Sequence, residues 1–234
     1  MRYIQKRDTP QFITDWIELR KSAGQKIIYE EFDQKPLLNN YLRQDQHHIW
    51  CYCQQILTHF QGDKNGGSHN EHLIPENGPY ANFALQMDYN NLFACCIASV
   101  GLQKNQQHCG EAKKAKLIRG AIQELNCTSL FKYNNLGEIL PNGSFDSFAD
   151  YKFNRVNLPN DQFEILLIIE TLNLNCSYLV NERKKDQTAL IKVLNLLPKE
   201  RVEQQLEVFE REPNYRRFID MLLYYMKQKK PMNT

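Results

Sequence analysis

The chain lacks several features that would each have named a function class. No run of about 18 apolar residues occurs, so nothing in it is long and greasy enough to span a bilayer as a helix. The opening MRYIQKRDTP carries charge with no apolar stretch behind it, which speaks against a secretory signal and sets the expectation of a cytoplasmic protein. No G-x-x-x-x-G-K-[ST] segment is present, so the chain is not expected to be its own ATPase. No internal repeat or long low-complexity tract appears. Charge of one sign is not in excess. Lys and Arg number 29 against 27 Asp and Glu, for a formal net charge of +2. A basic surface for nucleic acid would have to be local. What the chain does have is enough length, 234 residues with 42% apolar and 11% aromatic side chains, to bury a core as one large domain or two small ones.

Chemistry-bearing residues are unevenly spread. All six histidines and six of the seven cysteines lie between positions 47 and 127. In a cytoplasmic setting cysteines argue for a metal or for small buried apolar groups rather than for disulfides. They fall as Cys51-Tyr52-Cys53, Cys95-Cys96, and Cys109 behind His108. Zinc wants four soft ligands at tetrahedral corners. The loop SVGLQKNQQ between Cys96 and Cys109 could fold outward and leave its ends close at modest entropic cost.

The periodicity predicts helices over 8–23, 34–47 and 110–125, with Gly120 a weak point in the third. Residues 61–80 read as irregular loop around a short strand, and LFKYN and GEIL as further short strands. Beyond Pro159, apolar stripes predict helices from Asn160, through SYLVNERKKDQTALIKVLNLL, over 199–210 and in NYRRFIDMLLYYMKQKK. The expected class is α+β and predominantly helical, divided at 1–158 and 159–234, with a C-terminal helical bundle.

Read in order, the middle of the chain gives a cysteine turn, Glu71-His72-Leu73-Ile74-Pro75, Asn91-Leu92 with Cys96, and Cys109-Gly110 with Lys113. Met1–Ile4 with Lys6 precedes these, and LNLNCSYLVNERKK follows at 172–185. This order resembles the HNH endonucleases, and more specifically the PtuB-like HNH subunit of Septu-type anti-phage defence systems, some of which accompany retrons. The resemblance spans roughly residues 1–190. It implies a small zinc-stapled ββα-metal core embedded among helices, hydrolysis of phosphodiester bonds of DNA, and a separate ABC/SMC-like ATPase partner, with 160–228 as its docking surface.

By that resemblance His72 is the general base, with imidazole suited by a pKa near working pH. Glu71 is a hard oxygen ligand for a catalytic Mg²⁺ or Mn²⁺, and Asn91 holds the loop or orients His72. Cys51, Cys53, Cys96 and Cys109 hold a structural Zn²⁺, with His47 or His48 as alternatives to Cys51. Where common members place the last metal-binding residue this chain has Gly110, and His108 is the substitute candidate. His69 shares a strand face with Glu71 and is a second ligand or a solvated loop residue. His59 reads as a surface or partly buried residue, and His47-His48 as a helix end. Lys113, Lys114, Lys116 and Arg119 cover one side of the predicted helix, as a solvated face or as phosphate contacts. The other readings are an inactive zinc-ribbon nucleic-acid-binding module and a helical adaptor.

Overall fold

Proline at the first turn, leucines at i and i+4 and an arginine near the end define the helix Lys35–Asp45, whose Leu38 and Leu42 are fully buried. In the computed structural model, which describes residues 1–56 and 67–229, this is α2. It follows α1 (Gln11–Ser22) and lies on a two-stranded antiparallel hairpin of β1 (Ser68–His72) and β2 (Leu92–Cys96). His69 pairs with Cys95 and Glu71 with Phe93. A one-turn helix, α3 (Gly110–Lys113), comes next. A second small hairpin joins β3 (Phe131–Tyr133) and β4 (Ile139–Pro141), followed by α4 (Phe148–Phe153). Four helices complete the chain: α5 (Asn160–Thr171), α6 (Ser177–Leu196), α7 (Lys199–Arg211) and α8 (Ile219–Gln228). The protein is α+β, about 49% helix, with two small antiparallel sheets.

The predicted helix over 110–125 is not formed. After four residues Lys114 turns into the left-handed region at φ 50° and ends the helix, and a single 3-10 turn at 121–123 is what remains. The reason is packing. Lys113 is drawn inward to 1% exposure, and Ile118, Ala121 and Ile122 are buried without a 3.6-residue rhythm. Burial of three apolar side chains outweighs the helix propensity of a short, Gly-interrupted segment.

α8 is the central rod. Ile219, Met221, Leu222, Leu223, Tyr225 and Met226 are all buried, with α6, α7 and β3 packed around it. The main core gathers Met1 and Ile4, the cysteine segment, Leu73 and Phe93, and then α5, α6, α7 and α8. This single core runs through both sides of the boundary expected at 158/159. The first residues tie the halves together: the Met1 ammonium lies 3.5 Å from Asp220 of α8, and Arg2 3.3 Å from it. A smaller core joins α1 and α2 to Met87, Tyr89, Leu92 and Ala94. The hairpin β1–β2 thus lies between two cores. Among the described residues no helix is long and apolar enough to cross a membrane.

Candidate functional site

The hairpin and the start of α3 position two groups of ligand-type side chains. In the first, Cys53, Cys96, His108 and Cys109 bring their ligand atoms within 4.8 Å of one another, and all four residues are buried. Tetrahedral zinc sets N and S ligands about 3.5–3.8 Å apart, so closure needs a contraction of about an ångström. His108 Nδ1 meets the Gln106 carbonyl at 3.2 Å, its Nε2 is buried without an aligned hydrogen bond, and the ring also interacts with the Cys176 thiol. A buried imidazole beside three clustered thiols fits a zinc ligand. The outward loop closes as its composition suggested: Ser99 Oγ donates to the His108 carbonyl at 2.9 Å, and His108 N donates back to Ser99 Oγ at 3.0 Å. Cys109 sits at φ 58°, a strained geometry for a side-chain-bearing residue, held by its N–H on the Leu172 carbonyl at 2.9 Å. Burial pushes the Cys96 and Cys109 thiols up, whereas hydrogen bonds from neighbouring thiols hold Cys53 down despite its burial.

This corrects two expectations. Cys51 is outside the four-ligand set and packs beside Cys95. His108 groups with the thiols and not with Glu71. A C-x-C bite strains both ligands towards tetrahedral angles, and of the two cysteines in WCYC only Cys53 joins the cluster. His47 is also elsewhere, stacked on Tyr215 at 4.1 Å with Nδ1 2.9 Å from the Pro213 carbonyl. His59 lies outside the described residues.

The second group is His69, Glu71 and Cys95. Strand alternation and the His69–Cys95 register put the three on one face of the hairpin. His69 Nε2 lies 3.2 Å from Glu71 Oε2. Burial disfavours the imidazolium, but the Glu71 hydrogen bond outweighs it and raises the His69 pKa to about 9. Lys113 Nζ lies 2.9 Å from Glu71 Oε1, out of hydrogen-bond alignment, so that oxygen keeps an unused acceptor direction. The same ammonium donates to the His72 carbonyl at 2.8 Å. Gly110 explains itself here. A Cβ at that position would stand 2.8 Å from His69 Nε2 and 2.9 Å from Glu71 Oε2. The missing side chain leaves the space in which an ion would meet both.

His72 points from the opposite face of β1, edge-on against Tyr29 at 4.6 Å. Its Nε2 is 2.9 Å from the Gln86 carbonyl. A carbonyl only accepts, so neutral His72 carries its proton on Nε2 and leaves the Nδ1 lone pair free. Nδ1 lies 3.8 Å from Glu76 Oε1. Because β1 is an edge strand, side chains from both its faces reach one open cavity of about 290 Å³, lined by His69, Glu71, His72, Glu76 and Lys114 among others.

The remaining expected residues separate. Asn91 staples the loop: it accepts from Ile74 N at 2.7 Å and donates to the Ile74 and Leu85 carbonyls. It does not touch His72; the Gln86 carbonyl takes that place. Lys113 is buried on Glu71 and Arg119 is held by Glu124 and Asp161, so neither offers a free cation to phosphate. Lys114 and Lys116 are exposed. Sequence reasoning left His69 open and missed Cys95, Glu76 and Gln86. The signal for His69 and Cys95 was strand period and hairpin register, and the register could not be read without knowing how β1 and β2 pair. The donor set is mixed: imidazole and thiolate suit zinc-like ions, and Glu71 is the single hard ligand, a poor match to magnesium.

No protein-family model matches the chain, and no curated protein matches it at a significant level.

Proposed function

We propose that the protein is a metal-dependent nuclease of the HNH kind that hydrolyses phosphodiester bonds in DNA. The observation that supports this most is a histidine with a free Nδ1 lone pair and an imidazole–carboxylate pair opening into one cavity. His72 Nδ1 takes the proton of the attacking water. The Gln86 carbonyl fixes the tautomer that makes this nitrogen basic, and Glu76 steadies the imidazolium that forms. Glu71 and His69 would hold a divalent ion, which when bound supplies charge for the scissile phosphate. Lys113 keeps the Glu71 carboxylate in place against burial. The closed cluster of Cys53, Cys96, His108 and Cys109 holds zinc and locks β2 to the start of α3, so that Gly110 lies over His69 and Glu71.

The family resemblance extends the reading to an effector subunit of a cytoplasmic anti-phage complex, working with an ABC/SMC-like ATPase partner. A second reading, a zinc module without catalysis, is favoured by the Lys113 ammonium occupying the Glu71 side of the ion position. Cleavage of supercoiled plasmid separates the two, with Mg²⁺, Mn²⁺ and Zn²⁺ tested in turn. His72→Ala should lower the nicking rate about 10²–10⁴-fold with the zinc content unchanged. Equal nicking by the variant and the wild type would defeat the nuclease reading.

A further inference from the structure

Two aromatic side chains near the cavity are left in solvent. Tyr80 is 56% and Phe83 68% exposed, on the segment that connects β1 to β2. Single exposed apolar residues are common and need no explanation. Phe83 differs because its backbone is pinned to the histidine's own support, and Tyr80 lies three residues before it. Asn82 N donates to the Pro75 carbonyl at 3.1 Å, and the Asn82 side chain accepts from Ala84 N. Phe83 opens a 3-10 turn, and the Gln86 amide donates back to the Phe83 carbonyl at 3.2 Å. Gln86 in turn accepts from His72 through its carbonyl and from Tyr29 N through its side chain. An aromatic ring is therefore held out on the same turn that holds the candidate base.

Charge around the cavity is divided. Glu71, Glu76 and Lys114 line it, with Glu71 already paired to Lys113, while Lys116 stands exposed two residues beyond Lys114. Between Lys114 and Lys116 is Ala115, which the connecting segment approaches so closely at Gly78 that an added Cβ there would lie 2.9 Å from the Ala115 Cβ. Exposed cations and exposed rings therefore stand on two segments that meet beside one cavity. That combination fits an unpaired polynucleotide strand, with phosphates on the lysines and bases on the rings. A duplex keeps its bases stacked on each other and offers the rings nothing.

We propose that Tyr80 and Phe83 form a base-stacking platform and that the strand enters the site unpaired. This rests on the nuclease reading for its meaning but is tested without cleavage. The non-cleaving His72→Ala protein, loaded with zinc, is titrated by fluorescence anisotropy with a 20-nucleotide DNA strand, the same sequence as RNA, and the blunt DNA duplex. Adding Tyr80→Ala and Phe83→Ala should weaken single-strand binding about 10- to 100-fold and duplex binding less than about twofold. Phe83→Trp should restore it, and an abasic strand should bind the unsubstituted platform as weakly as the intact strand binds the alanine variant. The DNA and RNA arms identify the preferred sugar. An unchanged single-strand affinity, an equal loss on duplex, or an equal loss on the abasic strand would overturn the platform. So would alanine variants that bind every strand normally and instead release a co-purifying protein. Failure of plasmid nicking would remove the nuclease reading and leave this binding comparison intact.

Discussion

The two ligand groups on the β1–β2 hairpin are neighbours with opposite designs. Cys53, Cys96, His108 and Cys109 are buried and soft, and offer four ligand atoms. His69, Glu71 and His72 border an open cavity with a free imidazole lone pair and a carboxylate oxygen that accepts no aligned hydrogen bond. Structural metal sites are closed and catalytic ones keep an open position. On the proposed reading the first group serves stability and the second chemistry, although Cys95 and Cys96 adjoin in sequence. The hinge between them is Cys109-Gly110, where one residue serves the closed centre and the next leaves space in the open one.

The strongest way to break this comparison is to open the closed site. Cys53→Ser should reduce zinc from about one per chain to near zero and unfold the hairpin region, since structural zinc contributes about 10 kcal/mol or more in small zinc domains. Cys51→Ser should keep the zinc. Elemental analysis and thermal melting check both, and zinc loss in the second variant would move Cys51 back into the cage.

A smaller effect is expected on the open side. Lys113→Met removes the buried ammonium from Glu71 and leaves the His69 imidazolium to balance it, so the loss should reach at most about 3 kcal/mol. Chemical denaturation should show that loss while zinc remains bound. A retained stability would mean that Glu71 is solvated through the cavity.

Gly110→Ala sharpens the comparison most finely, because the added Cβ falls nearest to His69 and Glu71. Nicking should fall about tenfold or more by loss of the productive ion geometry, with zinc content and melting temperature nearly constant. Normal nicking would show that the ion does not sit between those two side chains.

A separate test concerns the frame that holds β2. Burial lowers the Lys6 pKa to about 7, although Asp45 opposes this. Its ammonium donates to the Leu92 carbonyl at 2.6 Å and faces the rings of Tyr89 and Phe93. Between about pH 7 and pH 10 the unfolded chain keeps this proton and the folded chain does not. Stability from this group therefore rises with pH in that window, by up to about 1.4 kcal/mol per unit, and is flat below it. The difference in denaturation free energy between wild type and Lys6→Met should show the slope. No slope would mean that the ring faces keep the ammonium charged.

Much of the fold was legible in local pattern. Leu38 and Leu42 marked α2, the run from Ile165 to Ile169 marked α5, and short strands stood where LFKYN and GEIL fall. Pattern failed where burial overrode propensity. The Lys113–Arg119 segment looks like a basic helical face, yet one lysine turns inward to a carboxylate and the arginine closes an ion-pair bridge to Glu124 and Asp161. Cysteine spacing raised the expectation of a metal centre and named Cys51 beside Cys53, Cys96 and Cys109, where the structure groups His108 with the other three. That choice depends on which side chain each backbone turn aims inward.

The order of residues along the chain by itself set the helical C-terminal half and the concentration of histidine and cysteine before position 128, because composition and periodicity are local properties. Which thiols converge, which nitrogen of His72 is left bare, and that Gly110 stands over His69 and Glu71 were settled only when distant segments met. Ligand geometry is a relation between chain segments separated by long loops, and no stretch of sequence contains it.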